Sequence, residues 1–313
     1  MKKALPIAAL VIAMGLAAIH FMSGRNETPA PFPRSSGWPW QSIGCDDPRC
    51  LNLSADYERL AAKLARRPQV IEEGRKLGVT LRRLLPPLPV EADSAARLEK
   101  RERGAFGSCR ATDILLRDPV LGDLPALLVT PARAAPGAPA VLAFHGHGQS
   151  PEVFVTRSGL AELCERGYFV LAPTLRAAGG RPHEDRAARA LLAAGSSKLE
   201  AHVLEARLWL RYLQERERVG RCGFVGHSLG GCVGTLLAWL DVGFTAVVSD
   251  YHSVFEGQAS DGVSYLSERD PRLAPLASYL NELHNAPVSA LHTSYGLTQR
   301  DEIRAFLDRH LVE

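Results

Sequence analysis

From about residue 108 onward, short aliphatic or β-branched runs alternate with longer stretches whose apolar positions recur at helical spacing. The short runs are Thr112–Leu116, Ala126–Thr130, Ala140–Phe144, Tyr168–Ala172, Cys222–Val225, Thr245–Ser249 and Val288–Leu291. They predict strands. The longer stretches predict helices over Arg157–Arg166, Lys198–Glu215, Leu229–Leu240, Leu273–Leu283 and Gln299–Leu311. In Lys198–Glu215, Leu199, Val203, Ala206, Leu210 and Leu213 fall on one stripe of a 3.6-residue period. Strands separated by helices predict an α/β fold, a mostly parallel sheet with helices on both faces. In such folds ligands bind beyond the carboxyl ends of the strands, so candidate chemistry belongs at that edge.

The preceding residues read differently. Lys2 and Lys3 stand before an apolar run from Ala4 to Met22, the pattern of a secretory signal. The run approaches the roughly 20 apolar residues that span a bilayer, so a retained membrane anchor is the alternative. Either way the protein is expected to be exported, periplasmic or extracellular. Residues 23–44 carry Pro29, Pro31, Pro33 and Pro39 and read as a linker. Residues 45–107 read as a helical N-terminal extension. Its period is carried by Tyr57, Leu60, Leu64, Val70, Ile71, Leu77, Leu81, Leu84 and Leu85, and Pro86, Pro87 and Pro89 stop it. Residues 108–313 are then the expected catalytic domain.

Composition narrows the classes of partner. The chain of 313 residues has a formal charge of only +3, with basic and acidic residues interspersed. That leaves no concentrated basic footprint for nucleic acid. Six cysteines are present. Cys45 and Cys50 flank a short polar loop and suit a disulfide in an exported protein. Cys109, Cys164, Cys222 and Cys232 lie in or beside apolar segments and read as buried thiols. No spacing fits a structural zinc site.

The strongest chemical signal is Gly226-His227-Ser228-Leu229-Gly230, followed by Gly231. It joins the strand ending at Val225 to the helix Leu229–Leu240. A sharp strand-to-helix turn lifts a serine hydroxyl above the sheet edge, and flanking glycines remove side chains that would collide there. Ser228 is the candidate nucleophile. Acyl transfer also needs two backbone N–H donors for the oxyanion. Leu229, just after the nucleophile, supplies one. His147, in the Phe144-His145-Gly146-His147-Gly148 stretch after another strand, supplies the other. A metal site from His145 and His147 lacks a third ligand nearby in sequence.

The serine needs a base. His292 follows Val288–Leu291 and precedes the last helix, which places it at a strand's carboxyl end. His252, just beyond the strand ending at Ser249, is the alternative. His284 and His310 read as surface histidines. Asp250 is the candidate acid that orients the base, with Asp261 and Asp270 as alternatives. The segment from Arg176 to Ser197, with Gly179, Gly180, Arg181, His183 and Glu184, follows a strand on the same edge and is a candidate wall of the substrate site.

The order HGHG, then GYFVLAPTLR, a long helix and GFVGHSLGG resembles the α/β-hydrolase superfamily. More narrowly it is similar to dienelactone-hydrolase-like and acetyl-xylan-esterase-like members. His292-Thr-Ser-Tyr-Gly, with Arg300, Phe306 and Leu311 behind it, resembles their histidine loop and last helix. The resemblance covers about residues 108–313 and implies a triad in the order Ser, acid, His. In most relatives the acid follows a seventh strand, between the strand ending at Ser249 and the one bearing the histidine. Here either that strand is missing and Asp250 substitutes, or Val288–Leu291 is itself the seventh strand and the histidine strand is lacking. The resemblance implies hydrolysis of a small carboxylic ester with no cofactor. Peptide or amide cleavage on the same fold, and a non-catalytic exported ligand-binding domain, are the alternatives.

Overall fold

The computed structural model describes residues 97–118, 121–176, 197–240, 242–251, 280, 283–293, 297 and 299–313. The signal or anchor segment, the Pro-rich linker, the Cys45/Cys50 loop and the extension up to residue 96 lie outside the described residues. So do most of the helix expected over 273–283 and the wall residues Gly179, Gly180, Arg181, His183 and Glu184.

Among the described residues eight strands form one sheet, in the order β1-β2-β3-β5-β4-β6-β7-β8. They are β1 (Arg97–Phe106), β2 (Cys109–Asp118), β3 (Gly122–Pro131), β4 (Ala140–Phe144), β5 (Phe169–Pro173), β6 (Cys222–His227), β7 (Ala246–Asp250) and β8 (Ser289–Thr293). The first three pair antiparallel, β3 also meets β5 antiparallel, and β5, β4, β6, β7 and β8 run parallel. The helices bounded among the described residues are α1 (Pro151–Arg157), α2 (Lys198–Glu215), α3 (Leu229–Leu240) and α4 (Arg300–Leu311), with short 3₁₀ turns at Leu160–Arg166 and Leu283–Asn285.

β4 to β7 are buried at every residue, because helices cover both faces of the parallel part. Side chains alternate between two apolar layers. Leu142, Phe144, Phe224 and Val247 face α2 and α3, together with Trp209, Leu213 and Leu236. Val141, Ala143, Val225 and Val248 face α1 and α4, together with Phe154, Ile303 and Leu307. The layered parallel sheet expected from the sequence is the observed one.

Three readings change. Arg97–Phe106, counted with the helical extension, is instead edge strand β1, nearly all exposed. Its charged residues hid the alternation, since an edge strand buries little on either face. The helix expected over Arg157–Arg166 is instead a 3₁₀ turn, Leu160–Arg166, and α1 lies before it, sharing only Arg157. Ser150 caps α1, and Gly159, at φ +75°, breaks it from the 3₁₀ turn. Cys109 and Cys164, expected as thiols, form a disulfide that ties β2 to that turn. Cys222 and Cys232 are buried thiols.

β8 lies directly against β7, in parallel register. Among the described residues no further strand lies beyond it. No helix among the described residues is long and apolar enough to cross a membrane.

Candidate active site

β4 and β6 are neighbours, so the chain leaves two adjacent strands at the same carboxyl edge. From β6 it enters the Ser228 turn, and from β4 it enters the His145–Gln149 loop. Ser228 has φ +52°, a left-handed conformation that a non-glycine residue adopts only where its surroundings impose it. The surroundings are visible. The Ser228 N–H donates to the Asp250 carbonyl at 2.7 Å, and the Ser228 carbonyl accepts from Cys232 N–H at 3.0 Å, opening α3. A Cβ on Gly226 would collide with the Gly230 carbonyl, and one on Gly230 with the Phe144 carbonyl. The turn closes only because both are glycine. Ser228 itself is partly exposed, in contrast to the buried residues on either side of it. Leu229 heads α3, where the first N–H groups have no partner inside the helix.

The loop after β4 is held from within. Leu175 N–H donates to His145 Nε2 at 3.0 Å, so that nitrogen is the acceptor. Nδ1 therefore carries the proton and donates to the Gly146 carbonyl at 2.8 Å. Burial pushes the His145 pKa down to about 4, which keeps the ring neutral and this arrangement intact at neutral pH. With the Gly146 carbonyl turned to that ring, the planar peptide turns the His147 N–H the other way. The Gly146 N–H donates to Gln149 Oε1 at 3.1 Å. Gly146 packs on the serine, since an added Cβ would stand 2.9 Å from Ser228 Cβ. The loop and the Ser228 turn are thus in van der Waals contact.

Asp250 and His292 are not brought together. In parallel register His227 pairs with Asp250 and Asp250 with Thr293, whereas Ser249 pairs with His292. Period two then puts His227, Asp250 and Thr293 on one face and His292 on the other. Asp250, fully buried, accepts from His227 Nδ1 at 2.5 Å and from Thr293 Oγ1 at 2.8 Å. The exposed His292 donates from Nε2 to the Tyr251 carbonyl at 3.1 Å and lies beside the Tyr251 ring. Its Nδ1 is the basic nitrogen in that tautomer. The expected Asp250–His292 hydrogen bond is therefore absent from this arrangement. The alternatives His252, Asp261 and Asp270 lie outside the described residues. His284 is exposed and His310 packs on Phe306, away from the carboxyl edge.

On the α2 side of the sheet is a charged group that the sequence pattern did not reveal. Arg176, His202 and Glu205 are all buried. Arg176 Nε lies 2.5 Å from Glu205 Oε1, and His202 Nδ1 lies 3.2 Å from Glu205 Oε2. Burial lowers the His202 pKa. For Glu205 burial acts upward, but the Arg176 guanidinium and His202 reverse it and hold the carboxyl below its usual range. The signal was present as i, i+3 spacing of His202 and Glu205, but a pair on an amphipathic helix reads as solvated until the helix is seen to be covered.

A strained serine on a strand–turn–helix bend, over a parallel sheet with helices on both faces, defines an α/β-hydrolase fold. The model of the alpha/beta hydrolase family matches residues 140–312. The chain belongs to that family. An acetyl xylan esterase from Paenibacillus sp. R4 superposes with a TM-score of 0.51 at 13% identity, over 80% of this chain and 99% of that one. Acetyl xylan esterase 1 from Thermoanaerobacterium sp. JW/SL YS485 gives 0.51 at 15% identity, over 78% and 96%. At such identities the likeness is one of fold. No curated protein matches in sequence.

Proposed function

We propose that this chain is a serine esterase that hydrolyses a small carboxylic ester through an acyl-enzyme. One observation carries the reading. Ser228 is held at φ +52° on a glycine-lined turn, partly exposed at the carboxyl edge of the sheet and touching the loop that bears His147. A serine held in a strained conformation at that place points to a functional role more than to a packing one.

In this reading Ser228 Oγ attacks the acyl carbon, and the Leu229 and His147 N–H groups receive the oxyanion. An imidazole takes the serine proton and returns it to the leaving alcohol. His292 is our assignment, acting through Nδ1, and His252 is the alternative. The role of orienting the base stays unassigned, since Asp250 engages His227 and Thr293. Export is part of the proposal. The Lys2–Met22 pattern supports it, and so does the Cys109–Cys164 disulfide, a bond that persists in oxidising compartments.

Turnover of p-nitrophenyl acetate tests the reading. Wild type should hydrolyse it and Ser228→Ala should lose at least about 10³-fold of the activity. His292→Ala and His252→Ala should differ sharply, the true base falling by a similar factor. A panel of peptide anilides cleaved faster than esters would turn the reading to amide hydrolysis.

One geometric feature favours a second reading, a non-catalytic ligand-binding domain. Among the described residues no imidazole hydrogen-bonds Ser228, and His292 is tied to Tyr251. A folded wild type without turnover, equal to Ser228→Ala, would establish that reading.

A further inference from the structure

We propose that His227, anchored by Asp250, is a positioning residue that sets the spacing between the nucleophile turn and the oxyanion loop. The proposal rests on the serine-hydrolase reading and deepens it.

Asp250 grips the turn twice, at consecutive residues. Its carbonyl accepts the Ser228 N–H at 2.7 Å, and its carboxylate accepts His227 Nδ1–H at 2.5 Å. Thr293 Oγ1 holds the other carboxylate oxygen at 2.8 Å, so β6, β7 and β8 each contribute one member of the row. The hydrogen bond fixes the rotation of the His227 ring. That ring meets the oxyanion loop at one end and α1 at the other. At the near end, a Cβ on Gly146 would stand 3.0 Å from His227 Cδ2 and 2.9 Å from Ser228 Cβ. At the far end the ring stacks on Phe154 in α1, with centroids 6.3 Å apart and planes 21° apart. The imidazole is therefore a wedge between the chain leaving β4 and the chain leaving β6.

Packing alone does not explain it. Leu or Phe would fill the same space without a buried carboxylate, whose desolvation is costly. What the pair adds is a fixed ring orientation. A shift of about 1 Å between Ser228 Oγ and the His147 N–H costs on the order of 10²-fold in rate. That is the quantity the wedge controls, without itself touching substrate.

The test is steady-state kinetics on p-nitrophenyl acetate, with thermal unfolding run on each variant. His227→Ala should lower kcat about 10²-fold and move KM by less than about threefold. Asp250→Ala should do the same, and the double variant should be no worse than the poorer single one, because Asp250 acts through His227. His227→Phe keeps the ring and His227→Asn keeps a donor near Nδ1, so each should recover part of kcat. If His227→Ala does not fold, these two variants carry the test. Normal kcat in a folded His227→Ala, or in both milder variants, overturns the proposal. So do losses that multiply in the double variant. Wild type inert to both the ester and a fluorophosphonate sinks the serine-hydrolase reading instead, and this proposal with it.

Discussion

At Ser228 the left-handed backbone costs on the order of 1 kcal/mol. It is sustained by the Asp250 carbonyl, the start of α3 and the glycines packed beneath. The turn has no room for a methyl group. Gly226→Ala should destabilise the protein by about 3 kcal/mol in denaturant unfolding and abolish reaction at Ser228. His145 gives a pH prediction. Its pKa is about 4 folded against 6.5 unfolded, so the folded state binds fewer protons between those values. The stability is present above pH 6.5, erodes as pH falls towards 4 and is gone below. The loss is about 3 kcal/mol, measurable by urea unfolding at pH 7 and pH 4.5. His145→Asn should flatten that slope. At this scale the sequence was readable where chemistry is local. The Ser228 turn and the His147 loop announce themselves by glycine spacing. The partner of Asp250 did not, because strand register, not chain order, decides whether His227 or His292 shares its face.

Among elements, β4, β6, α2 and α3 were legible to within a residue or two, since buried strands and striped helices carry their own period. β1 was not, because an edge strand of alternating charges has no apolar signature. Nor was the Cys109–Cys164 bond, whose ends are 55 residues apart and meet only once β2 packs on the 3₁₀ turn. Closing a loop of that length stabilises the fold by about 4 kcal/mol in the chain-entropy account. Cys164→Ala should therefore lower Tm by roughly 10 °C in calorimetry. An unchanged Tm, with one more titratable thiol in the wild type, would mean that the pair is reduced.

Across the whole molecule, two apolar layers clamp the sheet, and the buried Arg176–Glu205–His202 group sits in the layer beside α2. Glu205→Ala removes the carboxylate facing a buried guanidinium and should cost about 4 kcal/mol, read from urea midpoints. A Glu205→Ala protein as stable as wild type would mean that water already reaches the group. In the proposed reading the layered sheet presents Ser228 at its carboxyl edge as the nucleophile, and the most direct test of that is covalent. Purified protein is treated with a fluorophosphonate probe, digested and mapped by mass spectrometry. The adduct should fall on Ser228 alone and vanish in Ser228→Ala. An unlabelled wild type, or an adduct that survives the substitution, would contradict the account.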